Sequence, residues 1–268
     1  MGVAIALRRD EKLSFFKETL LELLKNTDAD EIILSSGFMQ FTKDDPKAGT
    51  YNFLTDQDKD GDTLLDLICN KCKEVTFVGV MGVHYKNTRI NTNSTTVDWY
   101  DQYRAAFDYL KSEVKHRQAN VKLNFYYRQY NQWHAKIALF MKKDSPNNPI
   151  PIAAIVGSSN LTRSAMGDDN TPQAMMMLPP NKNNQVKKAG YNMEADTLIY
   201  TSDVQTAVNQ CLVQFDDMEQ GEILSFTTMP TFYGKNNISS EADVILAEYK
   251  EIMQEIKMVN AKRYEIFQ

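Results

Sequence analysis

Apolar positions along the chain recur with two different periods, which predicts helices interleaved with strands. Helical spacing runs through residues 11–24, and the short apolar run from Glu31 to Ser36 is typical of a buried strand. Further helices are predicted at 62–72, 97–116, from Asn160 and at 202–217, and further strands at 75–80, 121–127, 134–141, 152–157 and 196–200. Strands separated by helices predict an α/β fold with a mixed, largely parallel sheet and helices on both faces.

The pattern changes beyond residue 220. Residues 219–237 are punctuated by Gly and Pro and predict irregular structure. Ser240 to Asp243 is a capping-box pattern that opens a long final helix with one apolar stripe. We therefore divide the chain into a main domain, 1–220, and a C-terminal extension with a long helix, 221–268.

Composition is that of a soluble globular protein. The 268 residues are 43% apolar and 24% charged, which is enough to bury a sizeable core. The cysteine count, three, is odd and argues against a disulfide framework. The sequence has no apolar run of bilayer length and no signal-peptide pattern, so we expect a cytoplasmic protein with no membrane partner.

Two segments carry the candidate chemistry. The first contains His134 and Lys136, and the second is Gly157-Ser158-Ser159-Asn160. A turn at 143–149 lies between two apolar runs, so a hairpin would bring the segments onto adjacent strands. An imidazole can attack phosphorus while an ammonium, a hydroxyl and a carboxamide hold its oxygens. Taken by itself, a histidine beside Trp133 is typical of a packed side chain, and Gly, Ser and Asn are typical of turns. The conjunction favours a phosphodiesterase site.

The two segments spell H-x-K and G-S-x-N, and in this order they resemble the signature of the phospholipase D superfamily. The family pattern has an Asp where this chain has Met141, and some single-motif nuclease members also lack that Asp. Downstream, Asn192-Met193-Glu194 leads into an apolar strand and resembles the same nuclease branch. The resemblance implies the phospholipase D-like α-β-α sandwich for the main domain.

The resemblance also implies roles for the motif residues. His134 would attack phosphorus and form a phosphohistidine, and Glu194 would orient His134 through its other ring nitrogen. Lys136, Ser158 and Asn160 would hold the non-bridging oxygens. Because the insertion before Glu194 is long, Asp168 and Asp169 are alternatives for the orienting carboxylate.

The implied function is that of a metal-independent phosphodiesterase, with a DNA endonuclease of restriction or defence type as the first choice and no cofactor. Two alternatives remain, a phospholipase D-type lipid hydrolase and a catalytically silent module that binds phosphate or nucleic acid. The net charge of −5 argues against a nucleic-acid partner, but charge can be clustered. Arg128, Trp133 and Arg163 surround the motifs and are predicted to bind substrate.

Assembly follows from the histidine count. Hydrolysis through a phosphohistidine needs an acid for the leaving oxygen as well as a nucleophile. Besides His134 the chain has only His84 and His116, and neither lies in an H-x-K setting. A second His134 from a twofold-related subunit is the simplest acid, so we expect a homodimer with a composite site.

An acidic segment, Asp56 to Asp62, resembles the first half of a calcium-binding loop. Its twelfth position is Leu67, where such loops have a bidentate Glu. We therefore interpret the segment as an acidic turn in which Asp62 caps the next helix, and we predict no metal site.

Overall fold

The described residues fold around one mixed sheet. The computed structural model describes residues 2–8, 13–41, 51–81, 99–129, 135–145, 148–167, 194–216, 222–227 and 262–263. Its helices are α1 (Phe15–Asn26), α2 (Leu64–Lys71), α3 (Trp99–His116), α4 (Arg163–Met166) and α5 (Gln205–Asp216), with a 3-10 turn at Ser202–Val204. Its strands are β1 (Gly2–Arg8), β2 (Glu31–Ser35), β3 (Glu74–Met81), β4 (Lys122–Gln129), β5 (Ile137–Ser145), β6 (Asn148–Gly157), β7 (Glu194–Tyr200), β8 (Glu222–Thr227) and β9 (Lys262–Arg263).

Helix starts follow the capping rules, with one correction. α1 begins after Ser14, whose side chain accepts a hydrogen bond from the backbone N–H of Lys17. α2 begins after Thr63, which accepts from the N–H of Asp66, so the prediction that Asp62 caps this helix is wrong. The hydroxyl of Thr63 reaches the third residue of the helix, whereas the Asp62 carboxylate pairs with Lys25.

The acidic loop before α2 is neutralised by lysines. The Nζ of Lys17 is buried and lies 3.3 Å from a carboxylate oxygen of Asp56, and Lys25 pairs with Asp60 and Asp62. Ammonium groups therefore bind three of the four carboxylates that a calcium loop would offer to its ion, and Asp58 accepts from the backbone N–H groups of Asp60 and Asp62. Within the described ranges, no group of three His, Cys, Asp or Glu side chains could hold a metal ion.

The sheet order is β8-β1-β7-β6-β5-β2-β3-β4-β9, counting the strands that the structure describes. The predicted α/β class and mixed sheet are confirmed, but the expectation of a largely parallel sheet is wrong. Only the neighbours β2–β3 and β3–β4 are parallel, and the other described pairs are antiparallel. The reason is the hairpin between β5 and β6, which reverses the chain, and β7 and β1 continue the alternation.

Both ends of the sheet hold strands that the hydrophobic pattern did not predict. β1 pairs with β7 along its whole length, and β8 pairs with β1 from Leu7↔Glu222 to Gly2↔Thr227. The prediction of irregular structure for 219–237 is therefore wrong at residues 222–227. Both β8 and β9 lie beyond residue 220 and join the sheet of the main domain. The predicted final helix lies outside the described residues.

The core lies between one face of this sheet and the helices. α1, α2, α3 and α5 contribute to a single apolar cluster with inward strand residues such as Ile32, Phe77 and Phe140. The ring of Phe77 contacts those of Phe53, Phe107 and Phe125, with centroids 5.8–6.2 Å apart. Alternate residues on the opposite face are buried as well: Ile33, Leu139, Met141 and Ala154. Both faces of the central strands are thus covered, as the predicted sandwich requires.

The strand directions bring the ends of many strands to one edge of the sheet. The pairings place the carboxyl ends of β1, β2, β3, β4 and β6 at the same edge as the amino ends of β5 and β7. We call this the motif edge, because both candidate segments and Glu194 lie there. No described helix is long and apolar enough to cross a membrane.

Candidate active site

Three neighbouring strands bring the candidate residues together at the motif edge. Lys136 immediately precedes β5, Gly157 ends β6, and Glu194 begins β7. The β5–β6 hairpin expected from the sequence is confirmed, and the backbone N–H of Gly157 donates to the carbonyl of Lys136 at 3.2 Å. The H-x-K and G-S-x-N segments are therefore joined directly by their backbones.

Gly157 is required by a close approach of β7. It lies opposite Asp196 in the register, and a Cβ on Gly157 would fall 2.0 Å from Asp196 Oδ1 and 2.5 Å from the carbonyl oxygen of Ala195. Backbone atoms cannot yield as a flexible side chain could, so any larger residue would separate the two strands. The glycine thus sets how closely the motif loop approaches the carboxylates of β7.

Ser158 is hydrogen-bonded to Glu194. Its hydroxyl donates to Oε2 of Glu194 and accepts from the backbone N–H of Ala195 at 2.9 Å. The Glu194 side chain is buried, with the residue 7% exposed. In this structure the hydroxyl of Ser158 therefore holds the carboxylate, and its contact with a phosphate oxygen stays a prediction.

Lys136 is buried beside the same carboxylate. Burial lowers the pKa of its ammonium group, and the negative charge of Glu194 partly offsets that shift. A cation held in a poorly hydrated position interacts strongly with an incoming anion, because less water screens the charge. This placement suits the predicted role of Lys136 in binding a phosphate oxygen.

A second carboxylate, Asp196, holds the loop and was missed by the sequence argument. The Ser159 hydroxyl donates to Oδ2 of Asp196 at 2.6 Å, and its backbone N–H donates to Oδ1 at 3.3 Å. Burial raises the pKa of Asp196, the bonds from Ser159 oppose the shift, and the charge of Glu194 adds to it. The signal was present in the sequence, since residues two apart on a strand share a face and Asp196 follows Glu194 at that spacing.

Asn160 is held with its amide oxygen inward. Oδ1 accepts from the backbone N–H of Phe38 at 3.2 Å and lies 3.3 Å from the hydroxyl of Ser36. Because a backbone N–H can only donate, the atom it meets must be the oxygen, which fixes the orientation of the carboxamide. Among the described residues, Nδ2 has no acceptor.

The other predicted site residues are only partly covered. His134 and Trp133 lie outside the described residues, as do the alternative carboxylates Asp168 and Asp169. The backbone of Arg128 lies in β4 and that of Arg163 begins α4. Their roles stay predictions. The carbonyl of Ala135, the residue after His134, accepts from the hydroxyl of Ser35 at 3.1 Å, which anchors the chain next to the candidate nucleophile.

Taken together, the motif edge offers an ammonium group, a carboxamide N–H and two hydrogen-bonded carboxylates within one small region. The two donors match the oxygens of an anion, and each carboxylate already accepts a hydrogen bond from a serine hydroxyl. Such a site suits the binding of a phosphate group in which charge builds on the oxygens.

Comparison with known proteins gives distant structural similarity only. No protein-family model and no curated protein sequence matches the chain. Two mutant forms of yeast tyrosyl-DNA phosphodiesterase align with 74% and 76% of the chain at 13% and 12% identity, with TM-scores of 0.37 and 0.39. Polyphosphate kinase from Porphyromonas gingivalis aligns with 89% at 12% identity, with a TM-score of 0.32. The chain spans 46%, 48% and 29% of these proteins, respectively.

Proposed function

We propose that this protein is a metal-independent phosphodiesterase of phospholipase D type, and that its substrate is DNA, which it cleaves as an endonuclease. The observation that carries the proposal is the convergence of Lys136, Asn160 and the Ser158–Glu194 pair at one sheet edge. These residues come from three separate motif segments, and Lys136 lies two residues after His134 in the chain.

The reaction would proceed in two displacements. Nε2 of His134 bonds to phosphorus as the bond to the leaving oxygen breaks, and that oxygen takes a proton from an acid. Water then attacks phosphorus and gives a proton to the conjugate base of that acid, the P–N bond breaks and a phosphate monoester is released. Lys136 and Asn160 stabilise the charge that builds on the non-bridging oxygens in both steps. Glu194 accepts from Nδ1–H of His134 and stabilises the charged ring.

The test is hydrolysis of bis(p-nitrophenyl) phosphate with EDTA present throughout. We expect the wild type to keep its turnover and His134→Ala to lose at least about 1,000-fold, because no other group replaces the nucleophile. His116→Ala, at the end of α3, is the matched control and should be fully active. Loss of activity in EDTA with recovery on addition of magnesium or manganese would overturn the metal-independent mechanism.

Substrate class is tested with the same protein. Nicking of supercoiled plasmid DNA without release of choline from phosphatidylcholine vesicles is the expected outcome. Choline release without nicking would assign the site to lipid, and binding of DNA with no turnover of either substrate would assign a silent binding module.

The proposed homodimer supplies the acid. Each subunit would contribute one His134 to a composite site, with the loop from Ser158 to Arg163 at the interface. Mixed dimers of wild type and His134→Ala should be nearly inactive, because one substitution removes either the nucleophile or the acid. Mixed dimers that retain half of the wild-type rate, or a fully active monomer, would contradict this arrangement.

A further inference from the structure

The carboxyl end of β2 contacts the G-S-x-N segment although more than a hundred residues separate them in sequence. Ser36, fully buried, follows the last residue of β2. Its hydroxyl accepts from the backbone N–H of Leu161 at 3.0 Å and lies 2.5 Å from the carbonyl oxygen of Phe38 and 3.3 Å from Oδ1 of Asn160. One hydroxyl thus joins the turn after β2 to the residues that present the candidate amide.

The backbone of this turn also binds the motif segment. The N–H of Phe38 donates to Oδ1 of Asn160, and Met39 forms a parallel bridge with Leu161. The N–H of Gln40 donates to the carbonyl of Leu161 at 2.7 Å. A displacement of the turn would therefore move the carboxamide of Asn160 with it.

Tyr103 fixes the turn from the helix side. Its side chain is buried on α3, and its hydroxyl lies 3.2 Å from the carbonyl oxygen of Ser36 and 3.1 Å from that of Gly37. The ring fits against Gly79 of β3, where a Cβ would fall 2.4 Å from a ring carbon. A buried phenol that donates to the turn is well placed to hold it, because a tyrosine hydroxyl without a partner would be costly at this depth.

We propose that Ser36 and Tyr103 are positioning residues for Asn160. The Ser36 hydroxyl and the Tyr103 hydroxyl hold the turn, and the backbone N–H of Phe38 in that turn binds the amide oxygen of Asn160, so that Nδ2 faces the phosphate oxygen in the transition state. This inference rests on the proposed function, because it assigns a purpose to the orientation of Asn160. Neither residue touches the substrate itself. A small misplacement of a catalytic donor lowers turnover even when binding is retained.

The test is a double-mutant cycle on kcat with bis(p-nitrophenyl) phosphate. We expect Asn160→Ala to lower kcat by about 100-fold, as the removal of one preorganised donor does. Ser36→Ala should lower kcat by about ten-fold with KM changed less than about two-fold, since the donor acts on the transition state. In the Asn160→Ala background, Ser36→Ala should change kcat by less than about two-fold, because its effect passes through the amide.

Tyr103→Phe tests the same inference if Ser36→Ala folds poorly, since it removes a single oxygen. It should lower kcat about three-fold in the wild type and leave Asn160→Ala unchanged. Tyr109→Phe, on the same helix, is the matched control and should keep full activity.

The outcomes separate the inference from the proposed function. A rate of Asn160→Ala equal to wild type would contradict the proposed site. If Asn160→Ala loses most of its kcat while Ser36→Ala and Tyr103→Phe keep the wild-type kcat, only the positioning role is overturned. Equal losses from Ser36→Ala in the two backgrounds would show that its effect does not pass through Asn160, which also overturns the positioning role.

Discussion

The two edges of the sheet hold their carboxylates in opposite ways. At the edge remote from the motifs, Glu74 is bound by the ammonium groups of Lys122 and Lys143, both at 2.7 Å, and Lys143 also reaches Glu31. At the motif edge, Glu194 and Asp196 are bound by the hydroxyls of consecutive serines. Ammonium groups thus donate to the carboxylates at the remote edge, and serine hydroxyls donate to those at the motif edge.

The difference in donors has consequences for charge. Hydrogen bonds from Lys122 and Lys143 lower the pKa of Glu74 to about 2 despite the opposing effect of burial. Asp196, with only neutral donors, has its pKa raised by burial. Lysines thus compensate the charge of the remote carboxylates, whereas the serine hydroxyls that bind Glu194 and Asp196 carry no charge of their own. The comparison therefore predicts large effects on activity at one edge and effects on stability alone at the other.

The largest effect should come from Glu194→Gln. We expect kcat to fall by about 100-fold or more with little change in substrate affinity, because the glutamine cannot stabilise a charged imidazole. Ser158→Ala removes the serine hydroxyl that holds Glu194 and leaves the carboxylate in place. It therefore separates the effect of the bond to Ser158 from the effect of the proposed bond to His134. If Asp168→Asn proved crippling and Glu194→Gln nearly silent, the orienting role would belong to Asp168.

Gly157→Ala should have an intermediate effect. The new methyl group would collide with backbone and side-chain atoms of β7, so we expect a loss of about 1–3 kcal/mol in the free energy of unfolding and about ten-fold in kcat. Gly61→Ala is the matched control. Gly61 has φ +88° and open space around its Cβ position, so its replacement should cost about 1 kcal/mol of stability and no activity. Equal losses of activity in both variants would mean that Gly157 matters only through stability.

The smallest effect on activity should come from Glu74→Gln at the opposite edge, with turnover within about two-fold of wild type. Because the folded-state pKa of Glu74 is lowered, its stabilisation is present above its ordinary pKa of 4.5 and is lost as the pH falls toward about 2. Since the site is partly solvated, we expect the variant to lose about 1 kcal/mol at pH 7. Urea unfolding at several pH values checks this. A constant difference between wild type and variant across that range would contradict the ion-pair account.

Local patterns predicted the elements of the fold well and their pairing less well. The helical spacing of residues 11–24 and the apolar run of Glu31 to Ser36 correspond to α1 and β2. Whether two strands run parallel depends on which strands become neighbours, and the local spacing of apolar residues does not encode this. The expectation of a largely parallel sheet was wrong for that reason. β8 was missed because its six residues pair with β1 across the whole sequence.

The candidate site divides in the same way. Short sequence motifs were enough to name four site residues, because each is itself part of a motif: Lys136, Ser158, Asn160 and Glu194. Asp196 could have been found by its spacing from Glu194. Ser36 and Tyr103 could not, because their contacts with the motif loop arise only when distant segments meet at the motif edge.

The most direct test of the central claim is to trap the covalent intermediate. Wild-type protein is quenched in alkali during turnover of bis(p-nitrophenyl) phosphate, because phosphohistidine is labile in acid, and its peptides are analysed by mass spectrometry. The account predicts a nitrophenyl-phosphoryl adduct on His134, slower hydrolysis of that adduct in Glu194→Gln, and no adduct in His134→Ala. An adduct on Ser158 instead, or sustained turnover with no adduct on His134, would contradict it.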